Sequence, residues 1–182
     1  MFRKLFLMMA LGLMAACTNS NDLDKAPVAL GNFSLGHNVV VAPNLTKGPV
    51  SREASKEEWI TAMKGAIDER FGRYEGEKLY HLGISVEGYV LAQPGIPLVA
   101  SPKSIVIVNV TAWDDEAGKK LNEKVKQITV LESLGSGTIV GSGYTLTREE
   151  QLQNLSRNAA KEIQNWLVRQ NFEHGWFKDA PE

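Results

Sequence analysis

Residues 104–113 read Ser-Ile-Val-Ile-Val-Asn-Val-Thr-Ala-Trp, and this run decides the class of the fold. Most of its residues are apolar and several are β-branched, which favours an extended backbone. Because the run hardly alternates with polar residues, it is typical of a strand that is central in its sheet or covered on both faces. The acidic residues and glycine of 114–118 then turn the chain. The sequence therefore predicts a central strand here.

The segments on either side supply its neighbours in the sheet. Residues 78–93 alternate between apolar and polar side chains, which predicts a half-buried strand. A weaker alternation over 127–134 predicts another strand, and the β-branched run 38–42, ended by Pro43, predicts the first one. Residues 138–140 lie between glycines and indicate either a very short strand or a glycine-rich loop.

A capping box at Ser55 and Glu58 predicts where the first helix begins. Apolar residues recur after it at three- and four-residue spacing, which predicts a helix over 56–72. The opposite side carries charged residues that we expect to face solvent: Lys64, Asp68 and Arg70.

Thr147 and Glu150 form a second capping box, ahead of the longest apolar periodicity in the chain. This pattern predicts a second helix over 148–170. We expect the aromatic residues of the following tail to pack back onto the domain: Phe172, Trp176 and Phe177.

This order of strands and helices predicts an α+β fold. We expect a two-layer sandwich, in which a mainly antiparallel sheet of four to five strands carries two helices packed on one face. No repeat of 20–50 residues is visible in the sequence, so a solenoid is not expected.

The first sixteen residues have the composition of a leader rather than of a domain. Arg3 and Lys4 precede an apolar run of about a dozen residues, which is shorter than the roughly 20 that span a bilayer. This pattern predicts a secretory signal peptide over 1–16. Residues 13–17, Leu-Met-Ala-Ala-Cys, resemble a bacterial lipobox, in which the cysteine is lipidated and becomes the first mature residue. The alternative is an ordinary signal peptide followed by a coincidental cysteine.

Cys17 is the only cysteine in the chain, which excludes an intrachain disulfide and argues against a cysteine-based zinc site. We expect it to carry palmitate, since firm attachment to lipid takes more than one acyl chain. Thr18 stands where the inner-membrane retention signal has aspartate, so we expect the periplasmic face of the outer membrane. Residues 17–27 are then a flexible tether, and residues 28–182 a single periplasmic domain.

The charge balance excludes several classes of protein. Among 182 residues, 20 are Lys or Arg and 21 are Asp or Glu, which gives a formal charge of −1. Loss of Arg3 and Lys4 with the leader brings the charge to −3. Nucleic-acid binders present a basic surface, so we expect no nucleic acid as partner. With 43% hydrophobic and 23% charged residues, the chain has the composition of an ordinary folded domain.

No catalytic or metal site is predicted. The glycine-rich run 135–141 lacks both the spacing of a dinucleotide fingerprint and the lysine of a P-loop. The adjacent carboxylates at 114–116 are typical of a turn. The other candidates have no matching partner at a useful spacing: His37, His81, His174, Ser85 and Ser142. We therefore expect no cofactor and no enzymatic activity, although a His–Asp pair in a cleft would revive the idea of a hydrolase.

An apolar loop between two prolines is the strongest candidate for a contact surface. Ile96, Leu98 and Val99 lie in it, and exposed apolar clusters often mark contact with a partner or a membrane. The alternative is that the loop folds onto the core beneath the sheet.

The strand and turn of residues 113–121, Trp-Asp-Asp-Glu-Ala-Gly-Lys-Lys-Leu, resemble a motif of small periplasmic lipoprotein domains. The penicillin-binding-protein activator LpoB, the curli secretion lipoprotein CsgG and DUF4410-type lipoproteins share it. The resemblance covers about residues 38–170 and implies a fold similar to the TolB N-terminal α/β sandwich. It implies fold more than function.

Two functions from different classes follow from these patterns. The first is a non-enzymatic lipoprotein that is anchored to outer-membrane lipid through Cys17 and binds an envelope protein. The alternative is a carrier or transport accessory that holds lipid or a small ligand between sheet and helices. A deep apolar pocket behind the helix 56–72 would favour the carrier, and a solid core would favour the first.

Overall fold

The computed structural model describes residues 20–93, 104–132 and 146–178. They form six strands and two helices: β1 (Phe33–Val41), β2 (Thr46–Lys47), α1 (Lys56–Phe71), β3 (Lys78–Val90), β4 (Ile105–Asp114), β5 (Lys119–Lys120), β6 (Lys126–Leu131) and α2 (Arg148–His174). Neither helix in these ranges has the length and apolar character needed to cross a membrane.

β3 and β4 pair antiparallel along most of their length and form the middle of the sheet. β5 and β6 pair antiparallel with β4, whereas β1 and β2 lie parallel to β3. The class predicted from the sequence, an α+β sandwich with two helices, is confirmed. The sheet has six strands rather than four or five, and it is mixed because α1 returns the chain between β1 and β3, so both strands run the same way.

Both capping boxes form as the sequence predicts. The Ser55 hydroxyl accepts from the Glu58 amide at 3.2 Å, and the Glu58 carboxylate accepts from the Ser55 amide at 2.7 Å. Thr147 and Glu150 repeat these two bonds at the start of α2. α2 continues four residues beyond the predicted end, to Gly175, whose left-handed φ of 67° stops the helix.

The core lies between the helices and one face of the sheet. The even-numbered residues of β3 from Tyr80 to Val86 are buried there, against Trp59 and Ile67 of α1. Phe33 lies among aromatic rings and stacks on Tyr80 with ring centroids 5.5 Å apart.

The aromatic tail follows the prediction only in part. Phe177 is fully buried and contacts Phe33 edge-on at 5.1 Å, while Trp176 packs on Trp166 at 5.5 Å. The prediction for Phe172 is wrong, since this side chain is 85% exposed. It lies on the solvent side of α2, before the turn at Gly175 brings the chain back.

Candidate functional site

The site residues predicted from the sequence lie outside the described residues. These are Cys17, the proposed lipid attachment, and the apolar loop residues Ile96, Leu98 and Val99. The glycine-rich run 135–141 also lies outside them. The described residues contribute four other features: an N-terminal strap, an open sheet face, a groove between the helices and a histidine–aspartate pair.

Residues 20–28, here called the N-terminal strap, are held by both helices. The Arg70 guanidinium of α1 donates to the Ser20 carbonyl at 2.9 Å and to an Asp22 carboxylate oxygen at 2.8 Å. Lys161 of α2 donates to the other Asp22 oxygen at 2.6 Å. The expectation that Arg70 faces solvent is therefore wrong, because its partners come from a distant part of the chain and bury it to 2% exposure.

A second set of hydrogen bonds joins the other end of the strap, at Val28, to both helices. Gln164 of α2 accepts from Arg70 at 3.0 Å and donates to the Tyr74 hydroxyl at 2.6 Å. Tyr74 in turn donates to the Val28 carbonyl at 2.7 Å. The Arg70 charge is thus paired and hydrogen-bonded on several sides, as a buried charge must be to be tolerated.

Asp22 is ionised in this network. Burial alone would raise its pKa, but the hydrogen bonds from Lys161 and Arg70 outweigh burial and lower the pKa to about 2. The described part of the predicted tether is therefore docked on the helices. Cys17 is three residues before the docked Ser20, and three residues of chain reach at most about 11 Å.

The second feature is the face of the sheet opposite the two helices of the described residues. We call it the open face, and it consists of Val39 and Val41 with the odd-numbered residues of β3 from Leu79 to Glu87, of β4 from Ile105 to Trp113 and of β6 from Gln127 to Leu131. Val39 and Leu131, on opposite sides of this face, are 55% and 54% exposed.

Charged residues border one end of the open face, where Lys120 of β5 pairs with Trp113 and Asp115 lies 2.8 Å from His81. Among the residues that define it, His81 and Glu87 are the two titratable side chains, and Glu87 accepts a hydrogen bond from Asn109 at 3.0 Å. The remaining members are aliphatic, aromatic, hydroxyl, amide or glycine residues. The alternation of 78–93 and 127–134 predicts two strands, but the open face itself was not predicted. The signal that could have shown it is the side of each segment on which polar residues are mostly uncharged.

The third feature is a groove of about 330 Å³ between the N-terminal halves of α1 and α2. Ala62 and Leu152 lie in it beside carboxylates of both helices. Arg148 bonds to Glu58 at 2.6 Å, and this bond, with the Ser55 amide, lowers the Glu58 pKa to about 2. Between α1 and the sheet, the inward-facing side chains of α1 from Trp59 to Phe71 are buried.

The fourth feature is a pair formed by His81 and Asp115. The ring Nε2 lies 2.8 Å from the Asp115 carboxylate, and the ring Nδ1 accepts from the His37 amide at 2.7 Å. Because Nδ1 is the acceptor, the ring proton is on Nε2 and points to Asp115. Both ring nitrogens are engaged, so this pair has no lone pair with which to activate a nucleophile.

The three adjacent carboxylates form a turn, as the sequence predicts. Asp114 accepts from the Ala117 amide at 2.9 Å, and Gly118 takes a left-handed φ of 58°. Asp115 pairs with His81 and Glu116 with Lys78, so the three side chains separate. In the described ranges, no group of three or more His, Cys, Asp or Glu residues is placed to hold a metal ion.

Comparison with known proteins identifies no family. No protein-family model and no curated protein matches the chain. Among solved structures, a DUF330 protein from Xanthomonas campestris is similar over 82% of this chain and 90% of its own, with 13% identity and a TM-score of 0.48. A protein from Caulobacter crescentus described as a lipoprotein is 12% identical over 83% and 96%, with a TM-score of 0.41. A minor lipoprotein from Acinetobacter baumannii is 18% identical over 75% and 96%, with a TM-score of 0.28.

Proposed function

We propose that this chain is a lipid-anchored lipoprotein of the bacterial envelope that binds another envelope protein and is not an enzyme. Cys17 would carry the acyl chains and hold the domain at the periplasmic face of the outer membrane. The observation that carries the binding role is the open face, on which the aliphatic side chains of Val39, Val41 and Leu131 are about half exposed. Such surfaces are typical of protein contacts.

The charge around the groove between the helices favours this role over the alternative of a lipid or small-ligand carrier. Ligand sites are concave and mostly apolar. The groove between the helices has Glu57, Glu58 and Glu149 around it, which does not suit an acyl chain. The His81–Asp115 pair does not support a hydrolase either, because both ring nitrogens of His81 already take part in hydrogen bonds.

Replacement of the lipidated cysteine tests the anchor. Cys17→Ser should abolish labelling with radioactive palmitate and move the protein from the membrane fraction to the soluble periplasm. Thr18→Ser, which keeps the cysteine, is the matched control and should label normally. Unchanged labelling or membrane fractionation of Cys17→Ser would refute the anchor.

The residue after Cys17 tests the choice of membrane. Thr18→Asp introduces the aspartate of the inner-membrane retention signal, and we expect it to shift the labelled protein to the inner-membrane band of a sucrose gradient. If the wild-type protein already lies in that band, the outer-membrane assignment is wrong.

The loop residues Ile96, Leu98 and Val99 remain a second predicted contact. Leu98→Ser with Val99→Ser should leave the unfolding midpoint unchanged if the loop contacts a partner or a membrane. A large drop in the midpoint would place these side chains in the core instead.

A further inference from the structure

We propose that Phe172 inserts into the interface of the bilayer that holds the acyl chains, and so orients the helix side of the domain toward the membrane. The Phe172 side chain is 85% exposed, more than any other large hydrophobic side chain of the described residues. This proposal rests on the lipid anchor at Cys17 and deepens it, because it names a second contact with lipid and hence the orientation of the anchored domain.

Phe172 and the docked strap lie on the same side of α2. Lys161, whose ammonium group donates to the Asp22 carboxylate at 2.6 Å, precedes Phe172 by eleven residues in this helix. Eleven residues are almost three full turns, so the two side chains leave α2 within about 20° of each other and about 17 Å apart along its axis. The strap also passes the residue before Phe172, since Asn171 donates to the Leu30 carbonyl at 3.2 Å. Phe172 therefore projects from the surface on which the strap is docked.

The short chain before the strap brings lipid to this surface. The Ser20 carbonyl is held by Arg70, and Cys17 is three residues earlier, at most about 11 Å away. The acyl chains of Cys17 therefore enter the bilayer beside the strap. A membrane at that distance is within reach of an aromatic side chain on the same side of α2, and transfer of such a side chain from water to apolar surroundings is favourable.

The charges beside Phe172 suit a phospholipid surface. Arg169 is exposed about one turn before Phe172 on α2, and Lys178 is exposed just beyond the end of the helix. Neither cation forms an ion pair with another residue of the described ranges, whereas the neighbouring Glu173 lies 3.8 Å from His174. Phospholipid headgroups carry phosphate, which attracts Lys and Arg side chains close to the membrane surface.

The internal stretches outside the described ranges, 94–103 and 133–145, are too far from Phe172 to cover it. Residues 133–145 end just before α2 begins, and residues 94–103 follow the segment of Ala92, whose carbonyl accepts from Gln151 in the first turn of α2 at 3.2 Å. No residue of either stretch is more than seven positions from a described one, which limits its reach to about 25 Å. Phe172 lies about 38 Å along the helix from that end.

The bilayer is the occupant that remains. Residues 179–182, Asp-Ala-Pro-Glu, contain no large apolar side chain, and residues 1–16 are the leader whose removal the lipid anchor requires. One exposed ring is too small for a stable protein interface, which takes about 800 Å² from each partner. Insertion of one aromatic side chain beside an existing lipid anchor needs no such area.

Fluorescence of the acylated full-length chain tests the proposal. The protein is reconstituted into vesicles of phosphatidylethanolamine and phosphatidylglycerol in which some acyl chains carry a nitroxide. A thiol-reactive fluorophore is placed on Phe172→Cys, or on Gln153→Cys as the control, since Gln153 is exposed on the same helix far from the strap end. We expect the nitroxide to remove more than half of the emission at position 172 and to leave the emission at position 153 unchanged.

A pair of substitutions at Phe172 tests the side chain itself, with the fluorophore moved to Arg169→Cys. Phe172→Leu keeps an apolar side chain and should preserve the quenching at position 169. Phe172→Asp introduces a charge that lipid does not accommodate, and should remove most of that quenching. Because Phe172 is exposed, neither substitution should change the unfolding midpoint.

The remaining outcomes overturn the proposal. Equal quenching at positions 172 and 153, or equal quenching in Phe172→Asp and Phe172→Leu, means that Phe172 does not enter the membrane. Benzoylphenylalanine at position 172 in living cells should give an adduct with phospholipid, and an adduct with a protein instead identifies a protein partner. Flotation with the vesicles separates the two proposals: a chain that floats without quenching at position 172 refutes the Phe172 contact alone, whereas a chain that does not float refutes the anchor.

Discussion

At the scale of one residue, Arg70 joins the N-terminal strap to the helices. Helical periodicity assigns Arg70 to the polar side of α1, because the pattern is based only on residues that are close in sequence. Its partners are the strap, about 50 residues earlier, and Gln164, 94 residues later. No local pattern contains that information, whereas the capping residues Ser55 and Thr147 act within three positions and were predicted correctly.

Arg70→Met should destabilise the domain by about 3 kcal/mol, because Ser20, Asp22 and Gln164 each lose a hydrogen bond from the buried guanidinium. The free energy of unfolding in urea measures this loss. Arg157→Ala is the control, since Arg157 pairs with Glu69 at 3.0 Å in a surface pair worth at most about 1 kcal/mol. Equal losses in the two variants would refute the structural role of the strap.

Asp22 should make stability depend on acid pH. Its folded-state pKa of about 2 lies below the usual value of 3.8, so its contribution is present above about pH 4 and is lost as the pH falls through 2. A shift of this size corresponds to about 2 kcal/mol. Urea unfolding at pH 5, 4, 3 and 2.5 should show the wild type losing its advantage over Asp22→Asn. A constant difference across these pH values would contradict the network.

At the scale of elements, local signals predicted the helices and the paired strands well. The starts of α1 and α2, the alternation of β3 and the continuous β-branched run of β4 were all visible in the sequence. The direction of β1 was not, because alternation says nothing about parallel or antiparallel pairing. β2 and β5 have two residues each, which is too short for an alternating pattern to predict them.

Gly65 offers a test of α1 as an element. A Cβ at this exposed position meets nothing within 4 Å, so Gly65→Ala should stabilise the helix by about 0.8–1 kcal/mol. Calorimetry should record a rise of roughly 2–4 °C in the melting temperature. Gly36→Ala is the contrasting variant, since its Cβ overlaps the His81 ring and should lower the melting temperature. A fall for Gly65→Ala would mean that α1 is packed differently.

At the scale of the whole molecule, the domain has two sides with different chemistry. The helix side holds the strap, from which the proposed anchor at Cys17 would leave, and the open face lies on the other side. The sequence predicts an anchor at Cys17 but not the side on which the strap docks, because that side depends on contacts between the strap and two helices far apart in the chain. The open face could not be predicted from the sequence either, because its residues come from four strands whose order in the sheet the sequence does not show.

The orientation of the domain on a membrane tests this account most directly. The acylated chain is reconstituted into vesicles of brominated phospholipid, with a fluorophore on Gly65→Cys of α1 or on Thr111→Cys of the open face. Once Cys17 is acylated, the introduced cysteine is the only free thiol. We predict that bromine quenches the fluorophore at position 65 and leaves the one at position 111 bright. Equal or stronger quenching at position 111 would contradict an anchor that leaves the domain from a strap docked on the helices.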